Sequence, residues 1–172
     1  MIIRPATPQD APAIMDIYND AVLNTTAIWN DDPVDVQDRL DWMSTRHEQG
    51  YPVFVSTNEH GTVSGYASYG PWRAFDGFAQ TAELSLYVHN DYRGQGIGRA
   101  LLGHLIEAAR AQGLHVLVAG IEAQNSASLG LHISLGFTET ARMPQVGKKF
   151  GRWLDLVFLQ KLLDPRKNPE GT

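Results

Sequence analysis

Apolar residues recur along this chain in two periods, and the switches between them mark out its elements. Ile14, Ile17, Tyr18, Ala21 and Val22 fall at the three- and four-residue spacing of one helix face, and Thr7 or Asp10 can cap its start. Val36, Leu40 and Met43 repeat that spacing after Asp35, with Gly50 as a stop. Ile97, Leu101, Leu105 and Ala108 describe a third helix that runs to Gln112 and closes at Gly113. Alternating apolar runs read as strands instead: Ile2-Ile3-Arg4, Val53 to Ser56, Val63 to Tyr69, Thr81 to Val88, and Trp153 to Leu162. Val116-Leu117-Val118-Ala119 is apolar throughout, as suits a central strand covered on both faces. Asn125 or Ser126 can cap a fourth helix to Leu135; Gly136 ends it and Phe137 opens the next segment. The predicted order is strand, two helices, three strands, helix, strand, helix, two strands, a mixed α/β sheet in one domain.

The connections are equally readable. Asn24 to Pro33 is a polar loop with a few apolar anchors, Asn58 to Gly61 a turn, and Pro71 to Gly77 a loop rich in aromatics. The domain is expected over residues 1–163, with a flexible tail over residues 164–172. At 172 residues and 43% hydrophobic, the chain has enough apolar surface for one real core. A formal charge of −5 without blocks of like charge speaks against nucleic-acid or anionic-membrane partners. No apolar run is long enough to span a bilayer, and no signal peptide is read at the start. With no cysteine, a disulfide framework and a cysteine nucleophile are excluded, and a reducing, cytoplasmic setting is the expectation. The six histidines show no metal-site spacing, so no metal is expected.

The most informative stretch is Arg93-Gly94-Gln95-Gly96-Ile97-Gly98-Arg99, between a strand and a helix. Alternate glycines let the backbone bend tightly and approach a ligand, and the helix start directs free N–H groups and a positive dipole end into the same space. A dinucleotide fingerprint fails, because Arg99 stands where its third glycine belongs; a P-loop fails for lack of Gly-Lys-Ser/Thr. A ligand-free glycine turn remains open on this motif alone.

Arg93-x-x-Gly-x-Gly98 after a strand ending Tyr87-Val88 resembles the acyl-CoA pyrophosphate loop of the GNAT superfamily of N-acyltransferases. Asn125-x-x-Ser128-x-x-Leu131-His132-x-x-x-Gly136-Phe137 is similar to that family's later helix and following strand. Five further stretches, Ile17-Tyr18-Asn19, Thr25-Thr26-Ala27, Gly65-Tyr66-Ala67, Glu83-x-Ser85-x-Tyr87-Val88 and Lys149-Phe150-Gly151-x-Trp153-x-Asp155, resemble its phosphinothricin and methionine sulfoximine (methionine sulfone) acetyltransferase branch. Trp72-Arg73-x-Phe75-x-Gly77-Phe78 and Met143 to Gly147 carry the likeness toward the methionine sulfoximine type. The resemblance implies an α/β, single-domain GNAT-like fold, with a mixed sheet of about seven strands flanked by helices and splayed between strands 4 and 5. It implies acetyl-CoA as co-substrate, a small amino-acid analogue whose α-amine is acetylated by direct attack in a ternary complex, and a homodimer.

Residue by residue, the resemblance assigns the pyrophosphate to Gly94, Gln95, Gly96, Ile97, Gly98 and Arg99, and the pantetheine arm to Leu86, Tyr87, Val88 and Asn125. Val88 N–H is the expected oxyanion donor. For the side chains of Leu86 and Val88 core packing is an equal alternative, and Asn125 can also be a helix cap. Glu83 is the expected base, with an exposed strand glutamate as the alternative. His132 is the expected acid for the thiolate, or else a packed helix histidine. Arg73, in the loop with Ala74 and Phe75, is expected to clamp the substrate carboxylate while Phe75 and Trp72 wall the side-chain pocket, the alternative being a surface loop whose aromatics pack on the core or at a dimer contact. Leu84 and Ser85 complete the substrate set, although Leu84 stands where that branch often carries histidine. Tyr18, Asn19, Thr26 and Trp29 are further candidates to close the pocket, and Lys149 and Trp153 to pack a dimer. Three rival functions remain: a protein N-terminal acetyltransferase, a polyamine acetyltransferase, and a non-catalytic acyl-CoA-binding sensor.

Overall fold

The computed structural model describes residues 1–169. Among the described residues, seven strands and four α-helices follow the predicted order: β1 (Ile2–Pro5), α1 (Ala11–Asn24), α2 (Val36–Glu48), β2 (Val53–Thr57), β3 (Val63–Pro71), β4 (Thr81–Val88), α3 (Ile97–Ala111), β5 (Val116–Glu122), α4 (Ser126–Ser134), β6 (Thr138–Lys149) and β7 (Arg152–Leu162). They form one sheet in the order β1-β2-β3-β4-β5-β7-β6. Every neighbouring pair is antiparallel except β4 and β5.

That parallel pair is short. Only Thr81, Ala82 and Glu83 pair with Val116, Leu117 and Val118. Beyond Glu83, β4 remains paired to β3 as far as Val88, while β5 pairs with β7 as far as Glu122. The strands therefore diverge, and the β5-facing edge of β4 from Leu84 to Val88 forms no ladder. This is the expected splay.

The period-2 alternation of the strands feeds two apolar layers. On one side, α3 packs Leu101, Leu102 and Leu105, all fully buried, against Ala67, Tyr69, Ala82, Leu117 and Leu159. Ala109 rather than Ala108 extends that stripe, because the helix buries two adjacent rows rather than one. On the other side, α1 packs Ile14 and Ile17 on Val55, Val63 and Tyr66.

Local rules explain the boundaries. Asp35 Oδ1 accepts the Asp38 N–H at 2.8 Å and caps α2. Asp10 reaches back to accept the Thr7 N–H at 2.7 Å while Arg4 donates to both of its carboxylate oxygens. The apolar face expected for α2 differs in one respect: its only buried residue is Arg39. The Arg39 guanidinium lies 4.1 Å from the Tyr18 ring centroid and 5.3 Å from that of Trp42, two cation–π contacts that hydrophobic periodicity does not register. Where a tail was expected, Asp164 accepts from the Arg166 N–H at 2.9 Å, and Arg166 donates to Gly113 O at 3.2 Å. Residues 170–172 lie outside the described residues.

Candidate active site

Two adjoining cavities open where β4 and β5 separate. The larger, about 190 Å³, is lined by Ala27 and Trp29 from the α1–α2 loop, Trp72 and Arg73, Glu83, Gly120 and Glu122, and Leu156 and Phe158 of β7. The smaller, about 80 Å³, is lined by Leu84 to Tyr87, Ala119 to Glu122, and Asn125, Ser128 and His132 of the α4 region. Ala27, Gly120 and Glu122 border both.

Alternation along β4 divides its side chains between the two faces of the sheet. Ala82 and Leu84 are buried in the α3 layer, where Leu86 and Val88 also pack. Glu83 lies on the opposite face and is half-buried. Burial pushes its carboxyl above the usual range, against the opposing pull of the Arg73 and Arg46 charges. Among the described residues, no side chain or backbone N–H donates a hydrogen bond to it. Gly120 makes room for it: a Cβ there would stand 3.3 Å from Glu83 Oε1 and 3.4 Å from the Phe158 ring. Glu122, by contrast, is engaged, accepting from Thr26 Oγ1 at 3.2 Å and from the Gln124 N–H at 3.1 Å. A second arginine stands behind Glu83. Gly70 pairs with Glu83 across β3 and β4, and the Arg46 guanidinium fills the space over Gly70.

Arg73 is exposed. Its guanidinium lies 3.8 Å from the Trp72 ring centroid and donates to Trp72 O at 2.8 Å. Trp72 itself packs edge-on against Phe158. Ala74 and Phe75 line neither cavity, and Phe75 is 77% exposed. Leu84 and Ser85 border the smaller cavity, not the one that holds Glu83. Trp29 lines the larger cavity, whereas Tyr18 and Asn19 hold its loop from behind: Asn30 donates to Tyr18 Oη at 2.7 Å, and the Asn19 amide exchanges two 2.8 Å hydrogen bonds with the Val34 backbone.

The His89 N–H donates to Ser64 O on the β3 side at 2.9 Å. Successive strand amides point to opposite sides, so the Val88 N–H is directed toward the splay. Arg93 reaches the same side and donates to Val88 O at 3.3 Å. The glycine loop follows. Gly94 and Gly96 adopt φ of +76° and +79°, the left-handed region that costs glycine little. Gly96 caps α3, leaving the N–H groups of Ile97, Gly98 and Arg99 without intrahelical partners. The Gln95 side chain folds back to donate to Asp91 O at 3.4 Å, and Arg99 donates to Ser134 Oγ at 3.1 Å.

Asn125 serves as the α4 cap, accepting the Ser128 N–H at 3.1 Å, and also borders the smaller cavity. His132 is 3% exposed, with Nδ1 2.8 Å from Ser128 O. A carbonyl only accepts, so Nδ1 carries the proton and the buried, unpartnered Nε2 keeps a lone pair. Burial holds this imidazole below the usual histidine range, so the neutral ring dominates at neutral pH. Among the described residues, no cluster of three or more histidines and carboxylates could hold a metal ion, and no helix is long and apolar enough to cross a membrane.

Sequence reasoning missed Gly120, Glu122, Arg46, Leu156 and Phe158. Only Glu122 left a sequence signal, as a carboxylate ending the apolar run from Val116.

Comparison with known proteins places this arrangement. Residues 14–137 match the family model described as the acetyltransferase (GNAT) family. The chain is 59% identical, over 96% of each chain, to the L-methionine sulfoximine/L-methionine sulfone acetyltransferase of Pseudomonas aeruginosa. It is 34% identical to the phosphinothricin N-acetyltransferase of Streptomyces coelicolor over 94% of this chain and 95% of that protein. Among solved structures, a putative acetyltransferase from Salmonella typhimurium, determined with its cofactor acetyl-CoA, matches with a TM-score of 0.95 at 58% identity, covering 99% of this chain and 98% of that one. With the splayed parallel pair, the glycine loop before α3 and full-length identity of this order, the chain belongs to the acetyltransferase (GNAT) family.

Proposed function

We propose that this chain acetylates the α-amine of small amino-acid analogues, methionine sulfoximine and methionine sulfone first among them, with acetyl-CoA as co-substrate. One observation carries the reading: Glu83, half-buried and free of hydrogen-bond donors among the described residues, shares a 190 Å³ cavity with Arg73 beside the open edge of β4. The names of the similar proteins support the substrate class.

Acetyl-CoA, when bound, supplies an activated thioester, and this chain's residues do the rest. An ammonium has no lone pair, so the amine must lose a proton before it attacks. Glu83 takes that proton, directly or through water, and its raised pKa brings it nearer to the amine's range. The Val88 N–H donates to the carbonyl oxygen as negative charge builds there. The lone pair on His132 Nε2 takes the second proton, shed by the attacking nitrogen as the C–N bond forms, and passes it to the departing thiolate, because burial disfavours the charged ring. Arg73 takes the amino acid's carboxylate in the larger cavity, where Trp29, Trp72 and Phe158 wall the substrate. The loop Gly94 to Arg99 supplies N–H groups to the pyrophosphate; Leu86, Tyr87, Val88 and Asn125 flank the pantetheine arm, which can pair with the open β4 edge as an added strand.

The protein acts as a homodimer in the cytoplasm. Met143, Val146, Phe150 and Trp153, all 41–64% exposed on the β6–β7 hairpin, support an interface there.

The test is CoA release from acetyl-CoA with methionine sulfoximine, methionine sulfone, phosphinothricin, ordinary amino acids, spermidine and short peptides. Turnover confined to amino acids and their analogues is expected. Turnover only with spermidine or peptides would discard the substrate class. Acetyl-CoA binding without turnover would favour a sensor.

A further inference from the structure

Two walls of the larger cavity, Ala27 and Trp29, belong to the α1–α2 loop, which contains no helix or strand between residues 25 and 35. Such a segment takes its position from what holds it. Part of the hold is local, through Asn19 at Val34 and Thr26 at Glu122. The rest comes from the far end of the chain, at the tip of the β6–β7 hairpin.

Lys149, the last residue of β6, is 4% exposed. Its ammonium donates to Val22 O, 127 residues away, and to Ile28 O, 121 residues away. Val22 lies in the last turn of α1, where carbonyls lack helical partners and a cation opposes the dipole favourably. Ile28 lies immediately before Trp29. The ammonium also sits 5.0 Å from the Phe150 ring centroid. A lysine is almost never buried unless its charge is met, and here two carbonyls of the segment behind the cavity wall meet it.

Two residues earlier, the backbone of Gly147 lies directly against the Trp29 indole. A Cβ at Gly147 would stand 2.2 Å from both Cε3 and Cζ3 of that ring. Glycine is required here by this close approach, since Gly147 is not among the glycines with positive φ. The indole is also held on its other edge, where Nε1 donates to Thr26 O at 2.9 Å.

We propose that Gly147 and Lys149 are positioning residues that set how far Trp29 projects into the larger cavity, and so which amine substrates fit. The specificity part rests on the assignment of that cavity to the amine. Trp29 lines the larger cavity and not the smaller, so the device acts on the amine and leaves acetyl-CoA alone.

The test uses the full chain and two substitutions. Gly147→Ala drives the indole aside by about 1 Å, which is expected to raise KM for methionine sulfone about 10-fold with acetyl-CoA KM changed less than about 2-fold. Replacing Trp29 by Leu in the Gly147→Ala background should recover most of the loss. Lys149→Met is expected to speed amide hydrogen exchange at Ile28 and Trp29 by about 10-fold or more, a readout that needs no activity. Unchanged exchange would overturn the anchoring. An unchanged amine KM in Gly147→Ala, or equal increases for both substrates, would overturn the specificity role. Should the wild-type protein acetylate no amino-acid analogue, the assignment of the cavity fails, while hydrogen exchange still decides the anchor.

Discussion

Replacing Arg73 by Ala tests how the amine substrate is oriented. The guanidinium offers five N–H donors, of which one goes to Trp72 O. Stacking on Trp72 fixes its plane, so a carboxylate meets a largely preformed fork. A hydrogen bond to a charged group contributes about 1.5–3 kcal/mol, and solvent exposure of Arg73 argues for the lower end. At about 1.4 kcal/mol per factor of ten, the amine KM should rise about 10-fold. Steady-state CoA release with methionine sulfone is the assay, and the carboxamide of the same compound is the control. The amide lacks the anion, so it should be a poor substrate for the wild type and indifferent to Arg73→Ala. A second consequence separates charge from geometry. Arg73 is the larger of the two charges that oppose the burial shift of Glu83, so Arg73→Ala should move the acidic limb of kcat/KM to higher pH. Arg73→Lys should leave that limb in place and still lose part of the KM. An unchanged KM for methionine sulfone, or equal losses for acid and amide, would refute the clamp.

The wild-type acidic limb should itself lie above the ordinary carboxylate range. The base works ionised, so activity falls as pH drops through a pKa that burial has raised. Arg46→Met, by removing the cation over Gly70, should push that limb higher without changing acetyl-CoA KM; a limb that stays put would show that Arg46 does not act on Glu83. Gly120→Ala should lower kcat/KM for methionine sulfone by about 10-fold or more, since the added methyl presses on both Glu83 Oε1 and the Phe158 ring, while urea unfolding stays near wild type. Unimpaired turnover would place the amine elsewhere. Leu105→Ala, at a fully buried α3 position, should cost about 2–5 kcal/mol in urea unfolding; a loss below about 1 kcal/mol would contradict the packing of that layer.

The element order was legible in the sequence because each signal is local. Asp35 and Asn125 cap the helices they precede, and the apolar run from Val116 forms an interior strand, paired on both edges. The glycine loop was legible for the same reason. Contacts between distant segments were not. Arg46 acts on a strand through Gly70, Glu122 is held by Thr26, and Lys149 reaches back over more than a hundred residues. Nothing near these residues in the chain marks their partners. The splay of β4 from β5 came from family resemblance, because periodicity says where strands are and not where two of them part. Phe75 marks the opposite case: its loop was expected to wall a pocket, yet in the single chain its side chain faces solvent.

The central claim is that Glu83 removes the amine proton. The decisive measurement is kcat of Glu83→Gln with methionine sulfone and saturating acetyl-CoA at pH 8, beside acetyl-CoA affinity and Tm. Burial favours the protonated carboxyl in the folded state. The cost of its charge is therefore absent at low pH, appears as pH rises through the unfolded pKa, and is complete above the folded one. Glutamine removes that cost, so Tm at pH 8 should not fall. Loss of the base should lower kcat by about 10²- to 10⁴-fold with acetyl-CoA affinity unchanged. Wild-type turnover by Glu83→Gln would contradict it.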